Sequence, residues 1–82
     1  MSNKEFFDAV DKIIQIANEL NKNISTTRVS AIMMYANARY NAFNFYATDG
    51  KEENIEKVKD YYCEQYRKML MENLLELKNK AT

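Results

Sequence analysis

The chain reads as an all-α protein: three antiparallel helices over about residues 3–21, 26–48 and 51–79, in an up-down-up bundle with a long third helix. Three observations predict this. The 82 residues include no proline and one glycine, so few positions stop a helix. Apolar residues recur at alternating three and four spacing. Residues that cap helices stand where that spacing breaks.

The first helix opens at Ser2, with Glu5 three residues on as in a capping box, and continues through Phe6, Val10, Ile13, Ala17 and Leu20. Asn21, Lys22, Asn23, Ile24 and Ser25 interrupt it, several of them with side chains that compete for backbone hydrogen bonds. Ser25 or Thr26 then caps the second helix, which runs to Thr48. Thr48, Asp49 and Gly50 form a tight connection that uses the one residue taking positive φ freely, and Asp49 with Glu52 is expected to cap the third helix. There Ile55, Val58, Tyr62, Tyr66, Met69, Asn73 and Leu77 form a stripe, with acids at the start and Lys78 and Lys80 at the finish.

The lengths do not match. The third helix spans roughly 45 Å against roughly 28 to 33 Å for the others, so its last turns either fray or pack on another chain. A single helical domain over residues 1–82 is also small enough to need a staple or partner. A homodimer is the expected answer.

The second helix carries the most information. At about 100° per residue, Ser30, Asn37, Asn41, Asn44 and Thr48 form a strip for solvent. Val29, Ile32, Met33, Ala36, Tyr40 and Phe43 form one apolar set; Ala31, Tyr35, Ala38, Ala42 and Phe45 form another, whose alanines permit close helix approach. One set suits the other two helices and the second a symmetric partner, or both are core. Opposite the polar strip lies Arg39, near Ile32, Tyr35, Phe43 and Tyr46. An always-charged guanidinium there must be paired, stacked or snorkelling. Antiparallel counting through the first turn sets it level with about Ala9, making Asp8 and Asp11 the nearest acids, and Asp11 is preferred because it borders the apolar stripe. Counting through Gly50 offers Asp60, Glu64 or the Tyr62 hydroxyl.

Asn73 raises the same question on the third helix, since a buried amide needs partners. It lies level with the Ile24–Thr26 turn and is expected to bond that backbone, or to fix register between chains. The six tyrosines, Tyr35, Tyr40, Tyr62 and Tyr66 in particular, read as core rings with hydroxyls at the rim, or as the lining of a ligand cavity. Cys63, beside the stripe, reads as a small buried thiol.

Composition narrows the function. Twelve Lys plus Arg balance twelve Asp plus Glu with no long run of either, which disfavours nucleic acid as a partner. No apolar run approaches the roughly 20 residues that span a bilayer, and the start MSNKEFFDAV lacks the core of a signal peptide. With a single cysteine, the expected location is the reducing cytoplasm. Without histidine, a glycine-rich phosphate loop or a cysteine cluster, no catalytic, metal or cofactor site is expected. Pairs such as Glu52 with Glu53 and Glu72 with Glu76 read as solvated helix faces.

The stretches IANELNKN, VSAIMMYANARYNAF and YYCEQYRKMLMENL cover most of the chain between them. They resemble a family of small bacterial proteins of unknown function with a LANELN, VSAALMYAAARFNAF and QYRKMLEENLDDY pattern. The shared positions include Asn21, Val29, Ser30, Tyr35, Arg39, Asn41, Phe43, Gln65, Tyr66, Arg67, Asn73 and Leu74. After ENL this chain departs, with Leu75, Glu76 and Leu77 where the pattern has acids. The resemblance implies a compact all-α protein of the bacterial cytoplasm and brings no activity or ligand with it. The expected function is therefore a non-enzymatic protein-interaction module acting as a homodimer. The alternative is a binder of small anionic ligands using Arg39 and a tyrosine-lined cavity.

Overall fold

A computed structural model describes residues 1–81 of the chain. It contains α1 (Asn3–Asn21), α2 (Thr26–Thr48) and α3 (Ile55–Ala81), the last preceded by a 3-10 turn over Glu52–Asn54. No strand occurs among the described residues. The all-α class, the order of the helices and the long third helix are as the spacing predicts, α3 having 27 residues against 19 and 23. The chain divides into two compact units, Met1–Ala42 and one beginning at Phe43, with the division inside α2.

In the first unit, local bonds define the helix ends. The Glu5 amide donates to Ser2 Oγ at 3.1 Å, and Ser2 Oγ in turn donates to Glu5 Oε1 at 3.2 Å. One orphaned donor of the first turn is satisfied in this way. Ser25, not Thr26, caps α2, its Oγ accepting from the Arg28 amide at 3.2 Å. Thr26 donates its hydroxyl to Asn21 Oδ1 across the turn at 3.2 Å. Burial is confined to Ala17 and Val29, with Ile24, Met33 and Asn41 half-buried. Asn41 thus departs from the solvent strip assigned to it, and its amide donates to Asn37 Oδ1. Phe6, Val10, Ile13 and Leu20, the rest of the α1 stripe, stay exposed.

In the second unit, α2 ends at a turn that requires glycine. Gly50 has φ of 71°, and its amide and that of Asp49 both donate to the Phe45 carbonyl, at 3.0 and 2.8 Å. The expected Asp49 cap on the third helix is replaced by a turn. Asp49 Oδ1 accepts from the Lys51 amide and Oδ2 from Asn54 Nδ2, each at 2.9 Å. The chain re-enters helix through the tighter 3-10 turn, so the aspartate reaches the nearest free amide first. Phe45, 5% exposed, is the buried residue of this unit, with Val58 and Tyr62 half-buried. From Tyr66 to Lys80 every residue is exposed.

Candidate interaction surface

Most of the apolar surface that the spacing marks as core is open. Val29 of the first α2 set and Phe45 of the second are buried, yet Tyr35 is 66% and Phe43 63% exposed. On α3, Met69, Leu70, Met71, Leu74, Leu75 and Leu77 are exposed as well. The tyrosines depart from the expected core rings, because Tyr35, Tyr40 and Tyr66 are exposed and Tyr62 is half-buried. A helix packs along a stripe, so a face broader than that stripe leaves part of its apolar surface open.

Arg39 is stacked and takes part in no ion pair among the described residues. Its Nη2 donates to Tyr35 Oη at 3.1 Å, and the guanidinium carbon lies 5.5 Å from the centre of that ring. The expected pair with Asp11 is absent: among the described residues, Asp11 takes part in no ion pair. The i, i+4 relation already places the Tyr35 ring and hydroxyl within reach of the guanidinium, so a neutral partner on the same helix holds it.

On α3, Asn73 Nδ2 donates to the Met69 carbonyl at 2.7 Å, one turn back on the same helix. A carbonyl four residues back is available without ordering any other segment. Cys63, expected to be buried, is exposed.

The α3 surface is laced by short-range pairs. Arg67 grips Glu64 with Nε to Oε2 at 3.0 Å and Nη2 to Oε1 at 2.8 Å. This hydrogen bonding holds the Glu64 carboxyl below its ordinary value and raises the Arg67 guanidinium. Lys59 bonds Glu56, which raises the ammonium above its usual range. Both cations nearest Cys63 in sequence are thus engaged with carboxylates.

Sequence reasoning missed a contact near the Gly50 turn. Asn44 Nδ2 donates to Tyr62 Oη at 3.0 Å. Beside it is an open cleft of about 290 Å³ lined in part by Phe45, Asp49, Asn54, Lys57 and Val58. Asn44 belongs to the strip assigned to solvent, and only its nearness to the turn distinguishes it from Asn37. Of the tyrosines expected in a ligand cavity, this cleft takes Tyr62 alone. Among the described residues, no cluster of three His, Cys, Asp or Glu side chains is placed to hold a metal, and no helix is long and apolar enough to cross a membrane.

These helices define a small all-α protein with exposed apolar side chains on each of its three helices. The chain belongs to the family of proteins of unknown function designated DUF3144, which it matches over residues 6–77. No curated protein and no solved structure matches it.

Proposed function

We propose that this chain is a non-enzymatic protein-interaction module that works as a homodimer. The observation that carries this reading is the open apolar surface on the helices of each unit. The residues that supply it are aromatic and aliphatic: Phe7, Tyr35, Phe43, Leu74 and Leu77 among them. Such composition is that of an interface core. The absence of histidine supports a binding role over catalysis.

Sedimentation equilibrium across micromolar concentrations tests the reading. A species of twice 9.7 kDa is expected, and a 9.7 kDa monomer at every concentration overturns it.

The competing reading, a binder of small anions, draws on the Arg39 guanidinium, which has a neutral partner in Tyr35 and no carboxylate. A thermal-shift screen of anionic metabolites separates the two. A ligand that stabilises the wild type and not a folded Arg39→Ala variant favours the binder.

A further inference from the structure

The face of α2 that carries Arg39 has an unusual charge. Arg28, Ile32, Tyr35 and Arg39 follow one another at four, three and four spacing, so they share one side of the helix. Nowhere between Thr26 and Thr48 is there an acid. Neither arginine has a carboxylate partner among the described residues, and Ile32 and Tyr35 between them are exposed. Anything that covers this face must bring apolar surface together with negative charge, because a guanidinium buried without a counter-charge is strongly disfavoured. Two copies of α2 packed on this face would oppose arginine to arginine.

The helix α1 has the complementary pattern. Asp8 is held by Lys4 at 2.9 Å, Glu19 by Lys22 at 3.1 Å, and Glu5 is engaged at the Ser2 cap. Asp11 is left without a partner among the described residues, and Phe7 and Ile14, one turn to either side, are exposed. An unpaired carboxylate between two open apolar side chains is the counterpart of the open pair Ile32 and Tyr35 flanked by Arg28 and Arg39.

Resting on the homodimer reading, we infer that the Arg39 and Tyr35 face of α2 docks on α1 of a second copy, with Arg39 of each chain paired to Asp11 of the other. In a two-fold dimer the contact occurs twice, once in each direction. The Tyr35 ring already orients the guanidinium, so little side-chain freedom is lost when the carboxylate arrives.

Charge reversal across chains tests this. Arg39→Glu and Asp11→Arg are each made alone and examined by sedimentation and circular dichroism, then mixed in equal amounts. Each variant alone places like charges together twice and is expected to self-associate at least roughly tenfold more weakly than the wild type. In the mixture, Glu at 39 meets Arg at 11 and Asp11 meets Arg39, so both contacts are restored and a heterodimer forms. A pair formed within one chain is not rescued by mixing. If either variant loses helix by itself, recovery of helical signal on mixing gives the same answer. A mixture no better than its components, or an Asp11→Arg variant that dimerises like the wild type, overturns the inference. With a dimeric wild type, such a result removes only this contact and leaves the homodimer in place. A wild type that stays monomeric removes both.

Discussion

Asn44 and Tyr62 are joined across the Gly50 turn by a 3.0 Å hydrogen bond from the amide Nδ2 to the phenolic oxygen. The bond ties the last turns of α2 to the second turn of α3, beside the buried ring of Phe45. Tyr62→Phe keeps the ring and removes the acceptor, and is expected to cost about 1 kcal/mol, the usual net worth of such a bond. Phe45→Ala removes the one buried ring of the unit and is expected to cost about 3 kcal/mol. Urea unfolding at fixed chain concentration ranks the two, and equal losses would contradict the assignment of Phe45 as the anchor.

Gly50 sits at φ 71°, where a side chain is strained. A Cβ there would meet the Tyr46 carbonyl oxygen at 3.5 Å and Cδ1 at 3.7 Å, ordinary contacts, so conformation and not crowding sets the penalty. Gly50→Ala is expected to destabilise by about 1 kcal/mol and Gly50→Asn by less, since Asn tolerates the left-handed region better. Thermal melts of the two variants check the order.

The Glu64 carboxyl is lowered from its ordinary 4.5, chiefly by the hydrogen bonds from Arg67. A carboxyl lowered in the folded state adds stability that is present above its unfolded value and lost as pH falls through the folded one. The Arg67 pair should therefore hold at neutral pH and dissolve only below the ordinary glutamate range. A carboxyl-detected NMR titration reads this directly. In Arg67→Ala the Glu64 midpoint is expected to move up towards the ordinary value, and an unchanged midpoint would assign the shift to another cause.

The helices were legible in the sequence because their determinants lie within a few residues of each other. Ser2 and Ser25 reach amides three positions on, Gly50 supplies its own φ, and no proline interrupts. The Arg39 partner was not legible. The position offered Asp11 by level and Tyr35 along the helix, and the near one prevailed because it costs no ordering of a second segment.

The sequence by itself determined the all-α class, the three helices and the glycine turn between α2 and α3, all consequences of spacing and local hydrogen bonding. Tertiary structure alone decided which apolar residues are enclosed. Periodicity marks Tyr35, Phe43 and Leu77 as apolar-face residues as clearly as Val29 and Phe45, yet only the last two are covered. Periodicity describes one helix, whereas burial depends on what else lies against it, and a chain of 82 residues buries a smaller fraction of its surface than a larger one does.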